Sequence, residues 1–233
     1  MGQRPLDNLL LEALPQPYRS SIYSRLEEIV VPPGTVLYEA DQIPRYAWFI
    51  GSGIASTMVS MSDGRSAEIG LWGSDGVLPC YHLLGGMARG PARCVAQMEI
   101  KAWRISFPEL QREFQRSEAF RDLVLRCAHR RSLILSQIAA CNRLHDAEQR
   151  LARWLLTAHD LTGTNQLSLS QGFLADILGS RRTTVTLAAG ALRRRKLISY
   201  RRGQIQILDH ARLKGAACEC YGTVRNLFQN FYG

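Results

Sequence analysis

At 233 residues, with 46% hydrophobic and 21% charged side chains, the chain has room for one or two domains that each bury a core, and neither a disordered nor a collagen-like composition. No window approaches the roughly 18 apolar residues of a membrane span, the N-terminus lacks the pattern of a signal peptide, and Leu6 stands where a myristoylation signal wants Ser or Thr, so a cytoplasmic protein with no membrane partner is expected. The net charge of +9 is lopsided: residues 1–142 carry 15 basic and 14 acidic side chains, whereas 143–233 carry 14 and 6, which puts any polyanion-binding surface in the C-terminal part.

Leu6, Leu9, Leu10 and Leu14, then a Pro15-Gln16-Pro17 break, then Ile22, Leu26 and Ile29 predict two short helices. From Val30 the period shortens, and strand-like pieces alternate with turn signals at Pro33-Gly34, Ala40-Asp41-Gln42, Gly51-Ser52-Gly53, Ser62-Asp63-Gly64, Gly73-Ser74-Asp75-Gly76 and Gly85-Gly86. Short strands at that spacing predict a sandwich or barrel.

A long helix follows, with one unbroken stripe at Phe120, Val124, Cys127, Arg131, Ile134, Ile138 and Cys141 and a second beside it at Leu125, Ala128, Leu135 and Ala139. Two apolar faces need two partners. One is its own domain and the other the same helix of a second subunit, and Val124, Cys127, Arg131, Ile134 and Ile138 are assigned to that interface. Asn142 to Asp146 reads as a hinge, with Asp146 capping a helix through Leu151, Trp154, Leu155 and Ala158.

Phe173, Leu174, Ile177 and Leu178 form a short helix with Ser170 as its N-cap and Gly179 as its stop, and a second helix from Ser180 turns Val185, Ala188, Ala189 and Leu192 inward. Its outer face carries Thr183, Thr186, Leu187, Gly190 and Arg194, entered through Arg181 and Arg182. Leu197–Tyr200 and Gln204–Ile207 alternate like paired strands around Arg201-Arg202-Gly203. Between Ser180 and Arg202 lie eight Arg or Lys residues and no Asp or Glu, a span that repels itself unless an anion lies nearby. This is a winged helix-turn-helix pattern, with Gln171, Arg181, Arg182, Thr183, Thr184, Thr186 and Leu187 as helical candidates for DNA contact and Arg201 and Arg202 on the wing. Past it, Asp209 is expected to cap one last helix containing Leu213, Ala216, Ala217, Cys220, Val224 and Phe228.

The run from Val31 to Asp41, followed by Tyr46-Ala-Trp-Phe-Ile-Gly-Ser-Gly53, resembles the opening of the cyclic-nucleotide-binding β-roll. Joined to the winged helix, it makes the chain resemble the cyclic-AMP receptor protein/FNR (Crp/Fnr) family of bacterial transcription regulators over almost its whole length. The resemblance implies an α+β protein: a sensory roll of the double-stranded β-helix or jelly-roll type with its N-terminal helices (1–116), a dimerisation helix (117–142), and a winged helix-turn-helix domain with a C-terminal helix (143–233). It also implies a homodimer on a palindromic operator in double-stranded DNA, with RNA polymerase as a further partner if it activates. The family's base-reading positions match Arg182, Thr183 and Leu187.

In relatives that bind cyclic AMP, a Gly-Glu pair and a downstream Arg-Ser or Arg-Thr hold the ribose and phosphate. Here the matching loop starts Gly76-Val77, no Glu occurs between Glu68 and Glu99, and Gly90-Pro91 stands where Arg-Ser is wanted, with Arg89 and Arg93 only nearby. Cyclic AMP is therefore not expected. Neither is the iron–sulfur cluster of the FNR branch, since the first cysteine is Cys80. Cys80-Tyr81-His82 offers a Cys-x-His spacing for haem ligands, as in a haem-sensing branch, although two packed side chains on a strand is the plainer reading. A haem- or thiol-based redox or gas sensor of the same fold is the alternative, with Gly76, Cys80, His82, Arg89 and Arg93 as the effector-pocket candidates. Six scattered cysteines without a CxxC pair are expected to be reduced, and Cys218-x-Cys220 on one helix would be about 200° apart, a poor metal chelate. No nucleotide-binding loop, HExxH or GxSxG occurs, so no enzyme is expected, and a cyclic-nucleotide-type regulatory subunit without DNA binding would leave the basic winged helix unexplained.

Overall fold

The computed structural model describes residues 7–85, 89–169 and 171–229. Contacts divide them into two compact units, one built from the chain up to Thr57 and Trp72–Ser132, the other from Met58–Leu71 and Leu133–Gln229.

The first unit opens with α1 (Leu9–Glu12) and α2 (Gln16–Tyr23). Asn8 caps α1 by accepting from the Leu11 N–H at 3.2 Å, and its amide donates to the carbonyls of Ile50 and Gly76 at 2.9 and 3.0 Å, so one buried side chain ends a helix and ties it to the roll. The helical spacing expected through Leu26 and Ile29 stops at Tyr23. Ile29 instead pairs with Ala102, in a ladder of β1 (Glu27–Val31) against β7 (Ile100–Ser106). Leu6 and the proposed cap Ser170 lie outside the described residues.

Between those strands come β2 (Val36–Tyr38), β3 (Tyr46–Ser52), β4 (Ala55–Ser60), β5 (Ser66–Trp72), α3 (Cys80–Leu84) and β6 (Ala92–Ala96). The strands form two antiparallel-rich layers ordered β1-β7-β3 and β2-β6-β4-β5. The turn signals at Pro33-Gly34, Ala40-Asp41-Gln42, Ser62-Asp63-Gly64 and Gly73-Ser74-Asp75-Gly76 fall in gaps between elements, whereas β3 runs on through Gly51 and Ser52 and turns at Gly53. Gly53 shows why one of them must be glycine: its φ is +86°, and a Cβ there would run into the carbonyl of Glu99. Leu37, Ala47, Phe49, Ala55, Cys94, Ile100 and Ala102 fill the interior.

After α4 (Phe107–Arg116) the chain enters α5 (Glu118–Leu144), the long helix. The chain itself covers the first stripe, and of the second it covers Ala128 but leaves Leu125, Leu135 and Ala139 exposed. Val124 and Cys127 are fully buried in the roll's own core, Ile134 and Ile138 pack against Val224, and Arg131 is 5% exposed. The chain itself covers these five residues, to which the sequence reading assigned an interface. Arg131 shows the physical reason, since its guanidinium and that of Arg130 each meet the Asp75 carboxylate at 2.7 Å, with the Trp72 ring 3.7 Å from Arg131. A charge on an apolar stripe needed a buried partner, and the partner lies 56 residues back. Leu125 and Leu135, on the other stripe, are 44% and 38% exposed.

The second unit continues through α6 (Ala147–Thr162), β8 (Gln166–Ser168), α7 (Gln171–Leu178), α8 (Arg182–Arg194), β9 (Ile198–Arg201), β10 (Gln204–Ile207), α9 (His210–Ala216) and α10 (Cys220–Gln229). Asp146 and Gln149 form a capping box at the start of α6, and Asp209 caps α9 by accepting from the Arg212 N–H. The single last helix expected from Asp209 to Phe228 is two. Ala217 is extended (φ −78°, ψ 156°), so α9 ends at Ala216 and the chain restarts at Cys220.

Candidate nucleic-acid interface

α6 is the platform on which the reading elements sit, with Leu151, Ala152, Trp154, Leu155 and Leu156 buried beneath them. α7 ends in a Schellman motif: the Ser180 N–H donates to the Ala175 carbonyl and the Gly179 N–H to that of Asp176, with Gly179 at φ +53°. Arg150 of α6 locks that turn, donating from Nη1 to the Leu178 carbonyl at 3.1 Å and from Nη2 to Ser180 Oγ at 3.2 Å. The angle between α7 and α8 is thus set by four hydrogen bonds, which the sequence marked only through its glycine.

On α8, Val185, Ala188, Ala189 and Leu192 are buried as their spacing predicts. Arg181, Arg182, Thr183, Thr186 and Leu187 are exposed, and Leu187 stands out at 70%. Thr184 is only half exposed, so it is less available than its neighbours, and Thr186 donates its hydroxyl to the Arg182 carbonyl, which leaves its oxygen free to accept. The side chain of Gln171 lies outside the described residues. Arg181 sits at the N-cap without a side-chain hydrogen bond to the first turn, leaving those N–H groups for an anion.

The wing is a three-stranded antiparallel sheet in the order β8-β10-β9, β10 pairing with both neighbours. Its tip has positive φ at both Arg202 (+50°) and Gly203 (+78°), the requirement of a type I′ hairpin turn. Arg201 and Arg202 are exposed there. Between α8 and the wing runs a groove of about 520 Å³ lined by Thr186, Gly190, Arg193, Tyr200 and Arg202 among others. Arg195, also exposed, is paired within the chain: its Nη1 meets Glu148 Oε1 at 2.6 Å. No acidic side chain interrupts the outer face from Arg181 to Arg202.

Of the effector-pocket candidates, Gly76 and Cys80 both approach Cys127. Cys80 and His82 lie on α3, not on a strand, so they point about 200° apart and cannot flank one ligand from the same side. Cys80 is fully buried, and burial together with a thiol contact to Cys127 pushes its pKa well up. His82 is held below its ordinary pKa by burial; its ring stands edge-on to Tyr38 and Phe107 at 5.7 and 6.3 Å, and its Nδ1 has no partner among the described residues. Arg89 is exposed and Arg93 is half exposed on β6. A Cβ on Gly76 would lie 2.6 Å from Cys127 Sγ, so this glycine is explained by the close approach of α5.

Sequence reasoning missed a further group. The break between α9 and α10 brings Cys218 and Cys220 together with Cys141 and His145, all four ligand atoms lying within 4.8 Å of one another. Cys218 lies in the link before α10 rather than on one helix with Cys220, so the 200° separation expected of a continuous helix does not hold.

Known proteins give the same outline. The profile of the cyclic nucleotide-binding domain matches residues 28–117, and that of the Crp-like helix-turn-helix domain matches residues 149–216. Among solved structures, a putative transcriptional regulator of the Crp/Fnr family from Eubacterium rectale is 19% identical with a TM-score of 0.72, covering 90% of this chain and 98% of its own. FixK2 from Bradyrhizobium japonicum gives 16% identity, a TM-score of 0.68 and coverage of 83% and 98%. A CRP-family regulator from Thermus thermophilus gives 20%, 0.69, and 82% and 99%. At these identities the likeness is one of fold. No curated protein sequence matches the chain significantly.

Proposed function

The chain belongs to the Crp/Fnr family of DNA-binding transcription regulators, and from that premise we propose that it works in the cytoplasm as a homodimer, reading two inverted half-sites with α8 in the major groove and gripping the backbone with the wing. RNA polymerase is its further partner where it activates. The observation that carries this reading is the outer face of α8: Arg182, Thr183 and Leu187 are exposed along it, no carboxylate interrupts it, and the helix N-terminus behind it lacks a side-chain cap.

The residue types assign the roles. Arg182 has the fork that bonds guanine O6 and N7 together, Thr183 can bond several bases, and Leu187, with no donor, is suited to a thymine methyl. The reading of Val124, Cys127, Arg131, Ile134 and Ile138 as the dimer face is replaced by one using Leu125, Leu135 and Ala139, the exposed stripe of α5. Two such helices packed about a two-fold axis cover each other's leucines.

Arg182→Ala is expected to weaken operator binding by roughly 1–3 kcal/mol and to relax preference at one guanine per half-site, whereas Arg201→Ala or Arg202→Ala should weaken all sequences alike and lower the salt slope by about one unit. Fluorescence anisotropy over a panel of operator variants at several salt concentrations separates the two. If the wing variants change base preference and Arg182→Ala does not, the roles are reversed.

A further inference from the structure

The four side chains gathered at the end of α5 are not needed by any part of the DNA-reading surface. Cys141 comes from the last turns of α5, His145 from the link to α6, Cys218 from the link between α9 and α10, and Cys220 from the first residue of α10. The three sulfurs belong to residues that are 0%, 5% and 2% exposed, and the histidine side chain is 17% exposed. Cys141 Sγ lies 3.5 Å from Cys218 Sγ, and Cys220 Sγ lies 3.7 Å from His145 Nδ1. Around a tetrahedral zinc with bonds of about 2.3 Å to sulfur and about 2.05 Å to nitrogen, sulfurs are about 3.8 Å apart and a sulfur and a nitrogen about 3.6 Å apart. Those two pairs are close to these spacings, and all four ligand atoms lie within 4.8 Å of one another.

The surroundings fit the same chemistry. The other ring nitrogen of His145, Nε2, faces Glu219 Oε2 at 3.2 Å, the carboxylate–histidine arrangement that leaves Nδ1 as the ligand. Gln137 Nε2 donates to Cys220 Sγ at 3.0 Å, a hydrogen bond that a thiolate accepts better than a thiol. Three thiolates and one zinc leave a single negative charge, and the guanidinium of Arg153, 5% exposed, acts electrostatically on Cys141. A simple disulfide between Cys141 and Cys218 would use two of the four groups and leave Cys220 and His145 beside it unexplained.

We propose that Cys141, His145, Cys218 and Cys220 form a tetrahedral zinc site that fastens α10 to the end of the long helix α5. Binding displaces the thiol protons and changes no oxidation state. With four protein ligands the ion has no open position, so the site is structural and carries no catalysis. It holds the C-terminal segment at the joint between α5 and α6, and it does not depend on whether α8 reads DNA as proposed above.

Elemental analysis of the full-length protein, purified without added metal, is expected to find about one zinc per chain. Cobalt exchanged into the site should give the intense visible bands of a tetrahedral thiolate complex. Cys141→Ser, Cys218→Ser and Cys220→Ser should each abolish the stoichiometric zinc, Cys94→Ser should keep it, and Glu219→Gln should weaken zinc affinity about tenfold through the lost histidine contact. Since a ligand variant can fail to fold, the cobalt spectrum of the wild-type chain stands as the independent readout. Substoichiometric zinc together with no cobalt bands from fully reduced protein overturns the proposal. So does a brown, iron- and sulfide-containing protein from anaerobic purification, or a Cys141–Cys218 disulfide that persists in the presence of zinc.

Discussion

Leu135→Glu should convert the protein to monomers in light scattering and weaken operator binding by about 10²–10⁴-fold, the loss expected when two linked half-site contacts become one. Leu135 is 38% exposed on its own chain, so a carboxylate there costs little in the isolated subunit. Across a two-fold axis it would be buried opposite or near its own symmetry mate, where neither charge has a partner. Circular dichroism should therefore stay that of the wild type. Ile134→Glu, one residue away but packed with Ile138 and Val224, should instead unfold the segment around α10, and the contrast between the two neighbours tests which stripe of α5 is free. A Leu135→Glu dimer with wild-type operator affinity would move the interface elsewhere.

Asp75→Ala should destabilise the first unit by about 3–5 kcal/mol, the usual result of removing one member of a buried ion pair. Asp75 stands between Arg130 and Arg131, all three at most 5% exposed, and its loss leaves two guanidiniums in the interior without their carboxylate. Against a typical domain stability of about 5–15 kcal/mol that is a large fraction. Urea unfolding followed through tryptophan fluorescence checks it, with Trp72 as a local reporter because its ring lies against Arg131. A shift of less than about 1 kcal/mol would mean that water reaches the site and replaces the carboxylate.

The winged helix was legible because its signals are local. Gly179, the four inward residues of α8 and the Arg202-Gly203 tip each act within a few positions, and the structure uses them as their chemistry dictates. The turns of the roll were legible for the same reason. What the sequence concealed depends on contacts between distant positions. Ile29 keeps helical spacing but is claimed by Ala102. β8 is three residues long, too short to display a period, and exists by pairing with β10 some forty residues on. The first stripe of α5 carries Arg131 among its apolar residues and still faces inward, its guanidinium met by Asp75 from 56 residues back. The Cys141, His145, Cys218 and Cys220 group needed the break after Ala216, which no proline or side-chain cap announces, and it closes over 77 residues.

Whether a two-fold protein reads DNA with α8 is decided by selection from a random duplex pool with the wild-type protein at physiological salt. The retained sequences should share two inverted half-sites about 10–10.5 base pairs apart, or a multiple of that, with a fixed guanine in each. A pool that shows no enrichment over the input, or one converging on a single asymmetric half-site, would contradict it.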